Sequence, residues 1–384
     1  MSDPVFAVVT GGGTSGHVLP ALAVADALVA AGHEPSSIRY IGARRGIETR
    51  LLPPTPYPHE FLDVVGFQRS VTGRNIAFAP KMVRSTTRAT QLLKSWRPKV
   101  VVSVGGYASM PAVFAARRLG VPVVVVSYDR TPGRASRVAA RRAAACAVAF
   151  EESPLPRAEV TGAPIRQVIL DVDRVENRSS ARRVLGVPED RFLIAVMGGS
   201  LGSGVLNNAV ADYLTAHRDD GALAVRQVAG ERFAPDVVVV GDGPDGGPDG
   251  GTGGGSGVGV LHQVIAYEHD MPSVYEACDL LIGRGGASTV HEVAVTGTPA
   301  ILVPWAASAD DHQTDNVKWL SEVGGAVLLA EADVGRIGDE IDALRADPDR
   351  CAELSAAATD RGRISRSGAL ARLIERVAVT SPSS

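Results

Sequence analysis

Apolar residues in this chain gather in short, nearly unbroken runs instead of alternating with polar ones. Val5 to Thr10, Ile38 to Ile41, Val100 to Val104, Val123 to Ser127, Phe192 to Met197 and Ala300 to Pro304 are of this kind. A run that is apolar on both faces fits a parallel strand covered by helices on each side. Longer segments with helical spacing lie between them, Ala21 to Ala31 and Ser109 to Leu119 among them. Strand and helix in alternation predict an α/β fold with parallel sheets. One plan occurs twice: Gly105-Gly106, a helix, Gly120-Val121-Pro122 and a strand, then Gly285-Gly286, a helix, Gly297-Thr298-Pro299 and a strand. The repeat predicts two Rossmann-like parallel-sheet domains facing across a cleft, over residues 1–160 and 190–360. The Pro-bearing, charged segment 161–189 would cross between them, and 361–384 would form a C-terminal helix with a disordered tail. The tract Gly241 to Gly259 is low in complexity and predicts a flexible loop.

The stretch Gly283 to Asn316 carries the clearest chemistry. Leu280 to Ile282 reads as a strand that stops at Gly283, Gly285 and Gly286, and a helix opens at Ser288 and Thr289. Unpaired N–H groups and a partial positive charge at a helix start suit a diphosphate. Glu292, in the first turns of that helix, can accept hydrogen bonds from two ribose hydroxyls. Asp310, Asp311, Gln313 and Asn316 add a polar rim. Together these residues describe a nucleoside-diphosphate site, although a βαβ unit with an ordinary Gly turn and a capping Glu would show the same spacing.

Near the start, Gly11-Gly12-Gly13-Thr14-Ser15-Gly16-His17 follows the first strand and formally matches the dinucleotide fingerprint. That fingerprint needs an acid at the end of the second strand, where this chain has Gly42-Ala43-Arg44-Arg45. Pro20 fits the first turn of a helix, so the loop is expected to be a wide Gly turn with His17 at its tip, in reach of proton transfer. A second phosphate-style turn, Gly198 to Gly204, follows the strand Phe192 to Met197.

With 384 residues, 45% hydrophobic and 21% charged, the chain can bury two cores. Its three cysteines have neither metal-ligand nor disulfide spacing, which fits a reducing compartment. The start runs straight into a strand, so no signal peptide is expected, and no apolar run is long enough to span a bilayer. Charge changes the picture. Residues 1–150 hold 19 Lys and Arg against 7 Asp and Glu, the remainder 20 against 35. Between Asp63 and Asp129 there is no acid at all. Sparse aromatics and the lack of a recognition motif argue against nucleic acid, so anionic lipid is the expected partner. Arg74, Ile76, Phe78, Lys81, Met82, Arg84 and Arg88 would make that contact, with helix from about Pro80 onward.

Gly11 to Pro20, Gly105-Gly106-Tyr107, Gly198-Gly199-Ser200, Gly285 to Glu292 and Asp310 to Asn316 stand in the order and rough spacing of the MurG family, and the chain resembles that family over nearly its whole length. The resemblance implies a GT-B fold and an inverting, metal-independent glycosyltransferase that needs no cofactor. Its donor substrate would be UDP-N-acetylglucosamine and its acceptor undecaprenyl-pyrophosphoryl-N-acetylmuramoyl-pentapeptide. The N-terminal domain would serve the acceptor and the membrane, the C-terminal domain the UDP-sugar, at the cytoplasmic face of the cell membrane. It implies donor-binding roles for Thr14, Ser15, Gly16, Arg166, Ser200, Ala287, Ser288, Thr289, Val290, His291, Glu292 and Gln313; His17 would be the base. Ser15 replaces a usual Gly, and Ala163 the usual Asn before Pro164. Where the family has a His-Glu-Gln-Asn run, this chain has Val126-Ser127-Tyr128-Asp129. That departure leaves open a UDP-sugar transferase with another acceptor, or a catalytically weak UDP-sugar-binding scaffold.

Overall fold

The computed structural model describes residues 5–64, 78–199, 202–241, 259–308 and 311–380. Arg74, Ile76, Ser200, Asp310, most of the Gly-rich tract and the last four residues lie outside that range. The chain divides into two units, one of residues up to Gln167 together with those from Ile364 onward, the other Val168–Arg363.

In the first unit the apolar runs become strands β1 (Ala7–Thr10), β2 (Ile38–Ala43), β3 (His59–Leu62), β4 (Val100–Ser103), β5 (Val123–Ser127), β6 (Ala145–Val148) and β7 (Ala158–Val160). They form one parallel sheet in the order β3-β2-β1-β4-β5-β6-β7. Helices α1 (Ser15–Ala30), α2 (Glu48–Leu51), α3 (Phe78–Trp96), α4 (Met110–Leu119) and α5 (Arg134–Ala140) connect the strands. α1 starts well before the expected Ala21, at Ser15, so Pro20 lies inside the helix and His17 in its first turn rather than on the loop. On one side of the sheet Leu92, Leu93, Val113 and Ala116 pack against Val8, Val101 and Val125.

The second unit opens with the four-residue helix α6 (Gln167–Leu170), which straddles the boundary, and α7 (Arg178–Leu185). Then follow β8 (Phe192–Met197), α8 (Gly204–Ala216), β9 (Leu223–Val228), β10 (Leu261–Ile265), α9 (Met271–Ala277) and β11 (Leu280–Gly283). α10 (Ala287–Thr296), β12 (Ala300–Leu302), α11 (His312–Ser321), β13 (Val327–Leu328), α12 (Ile337–Ala346) and α13 (Pro348–Arg366) complete it, the end of α13 from Ile364 returning to the first unit. Its sheet is again parallel, in the order β10-β9-β8-β11-β12-β13. The charged helix α7 is a structural clamp. Arg182 is fully buried and, with Arg178, donates to Asp279 at 2.7 and 2.6 Å, while Leu193 N–H donates to the same carboxylate.

The final helix, α14 (Ala369–Thr380), belongs to the first unit, where it packs on α1, β4 and β6. Leu370, Leu373, Ile374 and Val377 form its buried stripe, each worth about 1.5–3 kcal/mol of burial. Among the described residues no helix is long and apolar enough to cross a membrane.

In each sheet the strand order reverses once, between β1 and β4 and between β8 and β11. Crevices beyond the carboxyl ends of strands at such switch points are where open α/β sheets bind ligands. The four Gly turns picked out in the sequence all follow one of these four strands.

Candidate active site

At the first switch point the loop Gly11–Thr14 cannot brace itself, and buried side chains from other elements hold it. Tyr40 of β2 donates its hydroxyl to the Gly11 carbonyl at 2.7 Å. Glu48 of α2, fully buried, accepts from Gly13 N–H at 2.9 Å and Ala43 N–H at 3.2 Å. An acid does therefore follow β2, but as a brace on the Gly loop. His17 lies against the turn after β4. A Cβ on Gly106, whose φ is +74°, would stand 2.4 Å from the Gly12 carbonyl oxygen and 3.0 Å from the imidazole, so only glycine lets the ring sit there. The ring's Nδ1 is 3.3 Å from the hydroxyl of Tyr128, which also reaches the Gly16 carbonyl. Burial lowers the His17 pKa, and the charges of Asp129 and Glu48 act in the opposite direction. Thr14 caps α1 without a side-chain hydrogen bond, so the first-turn amides take no side-chain partner from it.

At the second switch point Arg284, between the glycines after β11, is the central brace. Its guanidinium is buried and donates to Ser203 Oγ at 2.7 Å, to Glu331 Oε1 at 2.8 Å and to the Val303 carbonyl at 3.2 Å. Ser203 in turn caps α8 by accepting from Leu206 N–H. Glu331 also accepts from Ala306 N–H at 2.7 Å. Burial pushes the Glu331 carboxyl up, but the bonds from Ala306 and Arg284 outweigh it and hold the group below the usual range. One cation thus ties together the segments after β8, β11 and β12. Gly286 begins α10 and contributes no capping side chain, which leaves that helix start open to an anion. Glu292, in its second turn, accepts from the hydroxyl of fully buried Tyr275 at 2.8 Å. Gln313 Oε1 accepts from Trp305 N–H at 2.9 Å, so its amide nitrogen is the group left to donate.

Known relatives match the chain over nearly its whole length. The Glycosyltransferase family 28 N-terminal domain matches residues 7–148, and the Glycosyltransferase family 28 C-terminal domain residues 193–369. The chain is 35% identical over 380 residues to a UDP-N-acetylglucosamine--N-acetylmuramyl-(pentapeptide) pyrophosphoryl-undecaprenol N-acetylglucosamine transferase of Clavibacter michiganensis subsp. michiganensis, covering 98% of this chain and 97% of the relative. A protein of the same description from Nocardioides sp. is 37% identical over 355 residues, 91% of this chain and 92% of the relative. The crystal structure of Acinetobacter baumannii MurG superposes with a TM-score of 0.69 at 26% identity, over 97% of this chain and 99% of that one. The chain belongs to the MurG family. Its fold is GT-B, with two Rossmann-like parallel-sheet domains.

The residues singled out in the sequence, from the MurG resemblance and from the charge pattern, fall into three groups. Thr14, Ser15, Gly16, His17 and Arg166 belong to the first unit; Arg166 lies near Asp26, whose carboxylate accepts from Tyr57 at 2.5 Å. Ala287 to Glu292 and Gln313 belong to the second. Within that helix Val290 and His291 turn to the core, His291 edge-on against Trp319, so they can offer a ligand only backbone, while Ser288, Thr289 and Glu292 are partly open. The third group is the basic patch on α3, which begins at Phe78. Met82 packs on the core because it lies on the inward face, and Lys81 pairs with Asp63 at 3.0 Å. Arg84 and Arg88 are exposed, Arg88 with Glu60 at 3.5 Å. Val83, two-thirds exposed beside Arg84, and Lys94 complete that outward face. Tyr40, Glu48, Tyr275, Arg284 and Glu331 were not singled out in the sequence, and Tyr128 only as part of a departure from the family, since each acts on a segment distant from it along the chain.

Proposed function

We propose that this protein transfers N-acetylglucosamine from UDP-N-acetylglucosamine to undecaprenyl-pyrophosphoryl-N-acetylmuramoyl-pentapeptide with inversion, the step that makes lipid II for peptidoglycan. The observation that carries this reading is the chain-long match to such transferases, with a built site at each switch point. An acceptor hydroxyl oxygen attacks the anomeric carbon, its proton passes to His17, and the bond to the UDP oxygen breaks with its electrons leaving on the diphosphate. Burial keeps His17 neutral and able to take that proton. The open start of α10 and Arg166 are the groups suited to the departing negative charge, with Glu292 on the ribose and Gln313 on the sugar. These groups supply charge stabilisation from the chain itself, and the reaction needs neither metal nor cofactor.

The acceptor's lipid tail keeps it in the bilayer, so the protein works as a peripheral protein on the cytoplasmic face. Arg84, Arg88 and Lys94, with exposed Val83 beside Arg84, offer α3's outward face to anionic lipid. The test is an assay of purified protein with UDP-N-acetylglucosamine and a lipid I analogue, in EDTA. Disaccharide formation that persists under chelation is the expected result. UDP release only with a soluble acceptor, or activity restored only by magnesium or manganese, would overturn the reading.

A further inference from the structure

Pro20 has no N–H, so the carbonyl of Gly16, one helical turn earlier, has no donor at the position where α1 would normally supply one. Tyr128, the first residue after β5 and 5% exposed, fills that vacancy with its hydroxyl. The same oxygen is 3.3 Å from His17 Nδ1. A phenol has one proton, and a carbonyl can only accept, so that proton goes to Gly16. Towards His17 the phenol oxygen can then act only as an acceptor, which requires Nδ1 to carry the ring's hydrogen. The neutral imidazole is thereby fixed with its lone pair on Nε2.

We infer that Tyr128 is a positioning residue: through the Gly16 carbonyl it sets the tautomer of His17 and presents Nε2 as the proton acceptor of the transfer. This rests on the reading of His17 as the base. It also gives a physical sense to the stretch Val126 to Asp129. Val126, Ser127 and Tyr128 are buried, so Tyr128 acts on the helix start from within the unit. Pro20 and Tyr128 act as a pair, because the proline frees the carbonyl that orients the phenol's proton. The groups that bear on His17 electrostatically are Asp129 and Glu48, and the Gly105–Gly106 turn adds no charge. When His17 takes the acceptor's proton on Nε2, its Nδ1–H keeps the bond to Tyr128, so the imidazolium stays oriented.

The test combines nitrogen-15 NMR of labelled imidazole with kinetics of Tyr128→Phe. In the wild-type protein His17 should show protonated Nδ1 and unprotonated Nε2; the opposite tautomer would overturn the inference. Tyr128→Phe should shift the ring towards the Nε2–H form and lower kcat by about tenfold or more, with the KM for UDP-N-acetylglucosamine within about twofold. An unchanged tautomer in that variant would also overturn it. Because Tyr128→Phe leaves the Gly16 carbonyl without its donor, the double variant Tyr128→Phe with Pro20→Ala separates stability from positioning. The Pro20→Ala change returns a backbone N–H to the Gly16 carbonyl, so Tm should recover while kcat and the tautomer do not. Recovery of kcat along with Tm would reduce Tyr128 to a helix brace and refute the proposal. His17→Ala distinguishes failure of the underlying reading: full activity there removes His17 as base, whatever tautomer the wild-type protein shows.

Discussion

Replacing Glu292 by Ala tests the ribose role proposed for it, provided the loss of its bond from Tyr275 is measured separately. Tyr275 is fully buried and donates its hydroxyl to Glu292 Oε2 at 2.8 Å. Loss of that acceptor removes a buried hydrogen bond to a charged group, which costs about 1–3 kcal/mol of folding stability. If the carboxylate also accepts from ribose hydroxyls, UDP binding loses about 1.5–3 kcal/mol, the range for hydrogen bonds to a charged group. That is roughly 10- to 150-fold in Kd. Tyr275→Phe removes the donor side of that bond and should itself cost about 1 kcal/mol, with UDP affinity nearly unchanged. In the Tyr275→Phe background, Glu292→Ala should then lose most of its effect on stability and keep its full effect on binding. The two coupling energies come from a double-mutant cycle, with denaturant melts for stability and calorimetry for UDP. A Glu292→Ala protein that melts earlier yet binds UDP as the wild type does would show the carboxylate to be only the partner of Tyr275, and the ribose assignment would be refuted.

Arg284→Met should destabilise the protein by about 3–5 kcal/mol, the range for one partner of a buried ion pair, and weaken UDP binding because three segments lose their tie; an unchanged melting curve would contradict the brace. His262 is buried between Gln227 Oε1 and Val240 N–H, and burial pushes its pKa down to about 4. The unfolded chain binds that proton first as pH falls below about 6.5, so roughly 3 kcal/mol of stability is present at pH 7 and lost progressively towards pH 4. His262→Gln should show a flatter stability profile over that range in pH-dependent denaturant titrations. Asp129→Asn removes a charge that raises the His17 pKa, so the acid limb of the kcat/KM profile should move to lower pH; a limb that stays in place would exclude Asp129 as an influence on the base. Arg84→Glu, Arg88→Glu and Lys94→Glu together should abolish binding to phosphatidylglycerol vesicles in a flotation assay, since each cation contributes about 1 kcal/mol at an anionic surface, and vesicle binding that survives the triple change would place the contact elsewhere.

The strands that were legible in the sequence are those buried on both faces. β5 and β8 run from the first to the last residue of their apolar runs, because nothing polar interrupts them. β6 was not legible: Ala145 to Val148 is small and Ala-rich and follows Ala143-Ala144, which reads as the continuation of a helix. β7 is an exposed edge strand with no apolar run, and β9 contains Arg226 and Gln227, the first salt-bridged to Glu268 and the second satisfied by Asn207 and His262. For the site, the Gly turns and His17 are local signals, and local signals survive in one dimension. Val290 and His291, given donor-binding roles by the MurG resemblance, share a helical face with Ala287 and Ala294 while Ser288 and Glu292 share the other, so the resemblance missed an inward turn that helical spacing carries. The braces were not legible, because Tyr40, Glu48, Tyr128 and Glu331 meet their loops only through the fold.

With His17 as the proposed base, those braces bear on chemistry as well as on stability. A base must be neutral before it acts and must hold a proton afterwards, so burial and charge have to be set against each other. Burial alone would weaken the ring's hold on the acceptor's proton. The carboxylates of Asp129 and Glu48 alone would favour its protonation in advance. Burial is the larger influence here and the two acids partly offset it, which leaves the neutral ring favoured and the imidazolium supported once it forms. Glu48 serves this balance from a fixed place, because the carboxylate that stabilises the imidazolium also holds the Gly13 amide. Moving that carboxylate would therefore reshape the Gly loop as well as retune the base. In this unit loop geometry and proton affinity are set by the same side chain, and one cannot vary freely without the other.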